Sequence, residues 1–220
     1  MAVRPYIYNP PTDPYLTVLY SDEDILVVDK PSGILSVPGR TPDLADCMHS
    51  RAKERFSHAT VVHRLDRATS GIMVMALNKK AHVHLSEQFA ARETDKTYVA
   101  RVWGNVEGDS GTVDLPLICD WPNRPKQMVD FERGKPSITD WEVIAREDNI
   151  TRMRLYPKTG RSHQLRVHML SLGHPILGDD FYAEGDAYDA AERLQLHAET
   201  LSFKHPVSLE ERFFESPCPF

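Results

Sequence analysis

The chain has 220 residues and a formal net charge of −6, with 41% hydrophobic and 26% charged residues. This composition is typical of a globular protein and excludes collagen, coiled-coil and disordered classes. No apolar stretch approaches the roughly 20 residues that a membrane-spanning helix needs, and three cysteines without a CxxC pair favour a reducing cytoplasm over a disulfide framework or a zinc site.

Strands dominate the predicted elements. Runs of β-branched and aromatic residues between Gly, Pro and Asn turns are typical of strands. Because the connections are short, we expect most neighbouring strands to pair antiparallel. The predicted strands cover residues 16–20, 25–29, 72–77, 97–103, 112–118, 138–145, 150–156 and 194–203.

Three helices interrupt these strands. Thr41, followed by proline, is typical of a helix start and predicts a helix to about Phe56. Asn78 can cap a second helix, and Ser162 can cap a short third one. The sum predicts an α+β fold with a largely antiparallel sheet, and no interior linker divides the chain.

The densest polar cluster spans residues 63–71, with the sequence HRLDRATSG, between two apolar runs. Asp66 lies between Arg64 and Arg67, which favour an ionised carboxylate, the state that a nucleophile or a base requires. The alternative is a structural aspartate in a turn with ordinary salt bridges. The spacing alone leaves both interpretations open.

A second polar cluster opens the predicted third helix, with the sequence TGRSHQLRVH at residues 159–168. The N-terminus of a helix can bind an anion, so Arg161 and His163 could meet a phosphate. Arg166, one turn further on, could reach inward to a partly buried carboxylate. A basic helix end on the surface is the alternative, and it stays open at this point.

Charge is unevenly distributed along the chain. Residues 179–220 hold ten acids and three bases, whereas residues 51–80 hold seven bases and two acids, and residues 152–166 hold five bases and no acid. The two basic windows indicate either solvated charged faces or a site for a polyanion. The acidic tail is expected to lie away from such a site.

Several enzyme classes lack their sequence signatures. The chain has no GxGxxG, GxxxxGK[ST], HExxH or GxSxG motif, which argues against dinucleotide, P-loop, zincin and serine-hydrolase sites. His197 and Glu199 match the HxE part of a zinc deaminase signature, but the second cysteine of its PCxxC part is missing after Cys218. No metal site is therefore predicted.

Four segments, in the expected order, resemble the RluA family of pseudouridine synthases over about residues 15–203. HRLDRATSG resembles the family's aspartate-bearing signature, and KPSGILSVPG at residues 30–39 resembles its upstream motif. KTYVA at residues 96–100 is similar to its tyrosine segment. TGRSHQLRVHMLSLGHPILGD at residues 159–179 is similar to its arginine-bearing motif.

The resemblance implies the pseudouridine-synthase fold, a mixed, mostly antiparallel sheet with flanking helices and a central catalytic cleft. Too few residues precede the first motif for the S4 RNA-binding domain of many relatives. We therefore expect one catalytic domain over residues 1–220, without an S4 domain. The isomerisation gains no atom and needs no redox partner, so no cofactor is expected.

Site residues follow from the same resemblance. Asp66 is the expected catalytic nucleophile or base, Arg166 the arginine that pairs with it, and Tyr98 the tyrosine against the uracil. Arg64 is expected to enter the RNA stack that the target nucleotide leaves. The resemblance and the basic windows together assign substrate contacts to Arg64, His63, Arg67, Arg161, His163 and Lys30.

The expected partner is RNA. Residues 114–127 resemble the members that act on tRNA anticodon stem-loops and 23S rRNA hairpins, in which the target base must be flipped out. No obligate protein partner is evident. Two other functions stay open: an RNA-binding module that does not need Asp66, and a glycoside hydrolase, which needs a second carboxylate that neither basic window supplies.

Overall fold

The computed structural model describes residues 7–220, which group into two compact units. The outer unit holds residues 7–96 and 197–219, and the middle unit holds residues 97–196 with Phe220. The single catalytic domain over residues 1–220 stays a prediction.

Twelve strands and four α-helices are found among residues 7–220. The longest helix has 13 residues, and no helix in this part of the chain is long and apolar enough to cross a bilayer. In chain order the elements are β1 (Thr17–Ser21), β2 (Ile25–Lys30), α1 (Met48–Arg55), β3 (Thr60–Val61), β4 (Ser70–Ala76), α2 (Lys79–Ala91), β5 (Asp95–Trp103), β6 (Ser110–Asp114), β7 (Leu117–Cys119), β8 (Gln127–Val129), β9 (Ile138–Glu147), β10 (Ile150–Pro157), α3 (Gln164–Ser171), α4 (Asp186–Asp189), β11 (Leu196–Lys204) and β12 (Glu211–Glu215).

The sheet of the outer unit has the strand order β1-β2-β4-β11. Strand β12 pairs with the later part of β11, and β3 pairs with the end of β4. The β4–β11 pair is parallel, with His197 opposite Ser70, and the other pairs are antiparallel. The expectation of a mixed, mostly antiparallel sheet is therefore confirmed.

Strand β4 is the centre of the outer unit's core, because all seven of its residues are buried. A continuous apolar run of this kind is typical of a strand covered on both faces. Helix α2 packs Ala81 and Leu85 against this core. Its start is confirmed as predicted, since Asn78 accepts a hydrogen bond from the Ala81 amide at 2.9 Å.

The sheet of the middle unit has the antiparallel order β5-β10-β9-β6. Strands β7 and β8 form a separate two-stranded sheet. The prediction of one strand over residues 112–118 is wrong, because Pro116 divides it between these two sheets. Proline has no amide to donate to a strand ladder.

The predicted helix from Thr41 to Phe56 is also divided. A short 3-10 turn covers Pro42–Leu44, and the Thr41 side chain makes no capping hydrogen bond. Helix α1 begins later, where the Cys47 sulfur accepts a hydrogen bond from the Ser50 amide. The Thr–Pro signature therefore starts a turn, and a residue that is rarely a helix cap starts the helix.

Gly71 gives a test of the parallel β4–β11 pairing. Its φ is +113°, and an added Cβ would overlap the carbonyl oxygen of Ala198. Gly108 has a similar positive φ of +76° but open space around it. We expect Gly108→Ala to lower the free energy of unfolding by about 1–2 kcal/mol through backbone strain, and Gly71→Ala by roughly 1–3 kcal/mol more through overlap.

Urea unfolding followed by circular dichroism measures both variants. Because both substitutions add the same methyl group at a positive φ, the difference between them reports the crowding at Ala198. Equal losses of stability would contradict the close approach of β4 and β11.

Candidate active site

The Asp66 loop is a β-turn directly before the buried strand β4. The Thr69 amide donates to the Asp66 carbonyl oxygen at 3.2 Å, which closes the turn over residues 66–69. Leu65 and Thr69 are buried, Asp66 is half-buried and Arg64 is exposed. The turn is thus held by buried side chains at residues 65 and 69, with residues 66–68 half-buried between them.

Lys30, at the end of β2, supports this turn from inside the outer unit. Its Nζ donates to the carbonyl oxygens of Arg67 at 2.9 Å, Thr69 at 2.7 Å and Pro31 at 3.0 Å. An ammonium group carries three N–H donors, and these three carbonyls match that number. The Lys30 side chain is 0% exposed, so it lies beneath the turn and away from solvent.

Two serines and a glycine of the same upstream motif complete the support. Ser36 Oγ donates to the Leu65 carbonyl at 2.7 Å and accepts from the Leu65 amide at 3.1 Å. Ser32 Oγ donates to the Ala68 carbonyl at 2.7 Å, and the Gly33 amide donates to the Arg67 carbonyl at 2.9 Å. With the Asp66–Thr69 bond, all five carbonyls of residues 65–69 accept hydrogen bonds.

This geometry differs from the expected substrate contact of Lys30. A lysine that binds an RNA phosphate keeps its ammonium accessible, whereas this one is buried under backbone carbonyls. Its hydrogen bonds fix the backbone that carries Asp66. The contacts of Lys30 within the outer unit are those of a residue that positions the turn.

His63 precedes the turn and contacts the core. Its Nε2 accepts a hydrogen bond from the Val74 amide at 3.0 Å, and its ring stacks on Phe89 with centroids 4.5 Å apart. Burial, and secondly the charge of Lys96, lower the pKa of His63 to about 3. The accepted hydrogen bond requires an Nε2 without a proton, so geometry and electrostatics both favour the neutral ring.

Tyr98 lies on β5 in the middle unit. It stands opposite Leu155 of β10 and is half-buried, and the next two residues, Val99 and Ala100, are buried. The backbone of Tyr98 is therefore fixed within a sheet rather than a loop. Its role against the uracil stays a prediction.

Arg166 lies on α3 and is 2% exposed. Its Nε donates to Asp179 Oδ2 at 2.7 Å, and its Nη2 donates to Asp179 Oδ1 at 2.5 Å and Asp180 Oδ1 at 2.9 Å. Arg166 thus reaches inward, and within the middle unit the carboxylates that it meets are Asp179 and Asp180. The pairing with Asp66 that the resemblance implies stays a prediction.

Aromatic rings surround the Arg166 guanidinium. Its central carbon lies 5.0 Å from the Phe181 ring centroid and 5.2 Å from that of Tyr182. Tyr182 Oη lies 2.8 Å from His163 Nδ1, and the amides of Phe181 and Tyr182 donate to Asp179. Asp179 therefore orients both the arginine and the turn that carries the two rings.

Sequence reasoning assigned no role to Asp179 or Tyr182. The available signal was their position, since GDDFY at residues 178–182 directly follows the last apolar residues of the arginine-bearing motif. Nothing in the spacing shows that this run folds back on α3. That return is a tertiary feature.

The start of α3 corrects the expected cap. The helix begins at Gln164, and its N-cap is His163, with a left-handed φ of +52° and no side-chain capping bond, so the prediction of Ser162 is wrong. The Gln164 side chain instead accepts a hydrogen bond from the Arg161 amide at 3.0 Å. Arg161 is half-buried, and its contact with a phosphate stays a prediction.

The basic windows contain both buried and accessible cations. Arg51 is 1% exposed and forms two hydrogen bonds of 2.7 Å with Asp46, and Arg166 is bound to Asp179. Arg64 is exposed. The windows are thus neither uniform solvated faces nor uniform polyanion surfaces, because part of their charge is neutralised inside each unit.

His63→Gln tests the neutral state of the His63 ring. The glutamine oxygen can accept the bond from the Val74 amide but cannot titrate. The pKa of His63 is near 3 when folded and 6.5 when unfolded, so the unfolded chain binds the extra proton between these values. As the pH is lowered from 6.5, the wild-type free energy of unfolding should therefore decrease, and His63 contributes up to about 1.4 kcal/mol per pH unit to that decrease.

Urea unfolding at four pH values from 7.5 to 4.5 measures this slope. The variant should show a flatter loss of stability on acidification, because the remaining histidines are common to both proteins. Parallel curves would show that His63 is protonated equally in the folded and unfolded chains.

Residues 24–171 match the family model described as RNA pseudouridylate synthase. The dual-specificity RNA pseudouridine synthase RluA of Vibrio vulnificus is 58% identical over an alignment of 218 residues, which covers 97% of this chain and 87% of the relative. The protein of that name from Escherichia coli K12 is 55% identical over 214 residues, covering 97% and 98%.

Solved structures agree with the fold. Human RNA pseudouridylate synthase domain containing 1 superposes with a TM-score of 0.78 at 31% identity, covering 99% of this chain and 86% of that one. Human RNA pseudouridylate synthase domain containing 4 gives 0.73 at 26% identity, covering 92% and 88%. The resemblance that the four motifs carry is confirmed, and the chain belongs to the RNA pseudouridylate synthase family.

Proposed function

We propose that this protein isomerises uridine to pseudouridine in structured RNA, with tRNA anticodon stem-loops and 23S rRNA hairpins as its substrates. The observation that carries the proposal is Asp66, which a turn with five bonded carbonyls presents within the family's aspartate-bearing signature. Relatives named as dual-specificity RNA pseudouridine synthases match nearly the whole chain, which supports two substrate classes. The cytoplasm is the compartment that we propose.

The reaction breaks the N1–C1′ bond, turns the base and forms a C5–C1′ bond. C5 loses its proton and N1 gains one, either by direct transfer or by exchange with solvent. Atoms and electrons balance within the nucleotide. One carboxylate can start it by attacking C1′ or C6, or by removing the C2′ proton. Each route needs Asp66 ionised and held in one orientation, and the fixed turn supplies the orientation.

Arg166 and Tyr98 have supporting roles in this proposal. The resemblance gives Arg166 the task of keeping the Asp66 carboxylate ionised and oriented, and a guanidinium that Asp179 already fixes suits that task. Tyr98 offers a flat apolar ring on a strand, on which a detached base can rest. Both residues have fixed backbones, since one lies on a helix and the other in a sheet.

Arg64 suits a role in base flipping. Removing a base from its stack costs a few kcal/mol, which an inserted planar group offsets by filling the gap. The Arg64 side chain is exposed and lies two residues before Asp66 in the same loop. His63, directly before Arg64, and Arg67, directly after Asp66, lie in the same loop. Their contacts with RNA are part of the proposal.

Asp66→Asn tests the function, because it keeps the size of the side chain and removes the charge. Wild type and variant are incubated with an anticodon stem-loop and with an rRNA hairpin, and pseudouridine is measured by mass spectrometry. We expect wild type to modify both RNAs, and Asp66→Asn to lose at least about 1000-fold in rate, as removal of a nucleophile or base does. Asp43→Asn, on an exposed turn, is the matched control and should retain activity.

RNA affinity is measured in parallel by filter binding. We expect Asp66→Asn to bind both RNAs as wild type does. If wild type binds the RNAs and modifies neither, the protein is an RNA-binding module. If Asp66→Asn retains the wild-type rate, another residue starts the reaction.

Lys30→Met separates support of the turn from contact with RNA. Methionine keeps most of the length of the side chain and removes the donors to Pro31 and Thr69 and one of the two donors to Arg67. A buried carbonyl left without a donor costs about 1–3 kcal/mol. We expect a lower urea midpoint and at least about a tenfold lower kcat through misplacement of Asp66, with RNA affinity retained. Lys80→Met, exposed on α2, is the control. Weaker RNA binding with an unchanged kcat would support the substrate contact instead.

A further inference from the structure

The hairpin of β7 and β8 carries an exposed aromatic side chain with a cation against it. Trp121 is 65% exposed, and the guanidinium carbon of Arg124 lies 4.5 Å from its ring centroid. An indole that is this exposed contributes little to the packing of a core. The pair combines a large π-face with a planar cation, and both groups can stack on a nucleobase.

The loop that carries this pair has a fixed backbone. The Asp120 amide donates to the Lys126 carbonyl at 2.9 Å, and the Lys126 amide donates to the Asn123 carbonyl at 3.1 Å. The Asn123 side chain donates to the Asp120 carboxylate at 2.8 Å. These bonds fix the backbone of the loop that carries Trp121 and Arg124 before any ligand binds, which lowers the entropic cost of binding.

The same hairpin is joined to the Arg166 cluster within the middle unit. The Gln127 amide donates to Tyr182 Oη at 2.7 Å, and that oxygen lies 2.8 Å from His163 Nδ1. Lys126 Nζ lies 5.9 Å from the centroid of the Tyr182 ring. The loop is thus connected through Tyr182 to the cluster that holds Arg166, and Lys126 adds positive charge between the loop and that cluster.

We propose that Trp121 and Arg124 form a stacking subsite for an unpaired nucleotide of the substrate RNA other than the target uridine. The inference rests on the proposed function. It adds a binding residue, Trp121, that touches the RNA by its ring and takes no part in the chemistry. Because every base has a π-face, such a subsite accepts different sequences.

An unpaired base fits this pair better than a protein side chain does. The two neighbouring cations, Arg124 and Lys126, are attracted to the phosphates on either side of a stacked nucleotide. An exposed aromatic ring next to such cations is the arrangement by which proteins bind single-stranded nucleic acid. The loops of tRNA and rRNA stem-loops supply such unpaired bases.

Three variants of the full chain test the subsite. Trp121→Ala removes the ring, Trp121→Phe keeps a smaller ring, and Phe131→Ala removes an aromatic ring that is 78% exposed on the turn after β8. We measure the Kd for the anticodon stem-loop and the rRNA hairpin, and the single-turnover rate at saturating RNA. Circular dichroism checks that each variant is folded.

We expect Trp121→Ala to raise the Kd for at least one of the two RNAs about tenfold, in line with the loss of one stacked base. Its single-turnover rate at saturation should equal that of wild type, because the ring does not touch the reacting atoms. Trp121→Phe should recover most of the affinity, and Phe131→Ala should bind within about twofold of wild type. Bound RNA should quench wild-type tryptophan fluorescence, and Trp121→Phe should lose most of that quenching.

Two results would overturn the subsite. One is a Trp121→Ala protein that binds both RNAs as wild type does, and the other is an equal loss in Phe131→Ala, which would make the effect unspecific. Failure of the proposed function gives a different result. In that case wild type forms no pseudouridine in either RNA, whatever the Kd values of the variants are.

Discussion

The backbone of residues 65–69 depends on hydrogen bonds from a segment that lies some 30 to 40 residues earlier in the chain. Lys30 is the central donor. Its ammonium is buried at a considerable cost in desolvation, and three carbonyl oxygens offset that cost by accepting hydrogen bonds from it. A turn fixed in this way presents Asp66 in one orientation, and such preorganisation is what a single catalytic carboxylate needs.

The middle unit also positions a charged side chain by burying it beside a charge of opposite sign. Arg166 is buried against Asp179, and Phe181 and Tyr182 cover the guanidinium. A buried ion pair contributes little to stability when its desolvation is counted, but it fixes the geometry of both partners. In both units, therefore, buried charge fixes the position of a residue to which the proposed function gives a role, rather than strengthening the core.

The Trp121 loop has the opposite character. Its backbone is hydrogen-bonded, but its ring and cation are exposed, and apart from their own cation–π contact they gain burial only when a ligand covers them. A stacking contact tolerates different bases, whereas hydrogen bonds to base edges do not. Under the proposed function such a contact would serve both RNA classes, because tRNA and rRNA stem-loops share unpaired loops and differ in sequence.

The sequence by itself determined the elements and motifs that local patterns encode. The buried strand β4 and the cap of α2 by Asn78 follow from periodicity and residue type, and the four motifs were identified by their resemblance to the family. The errors were also local: Thr41 and Ser162 have the right chemistry for a cap, but the backbone places Cys47 and His163 at those positions. Only the tertiary structure decided that Lys30 lies beneath the Asp66 turn and that Asp179 folds back onto Arg166. These contacts join residues far apart in the chain, and a one-dimensional pattern carries no information on which donor meets which acceptor.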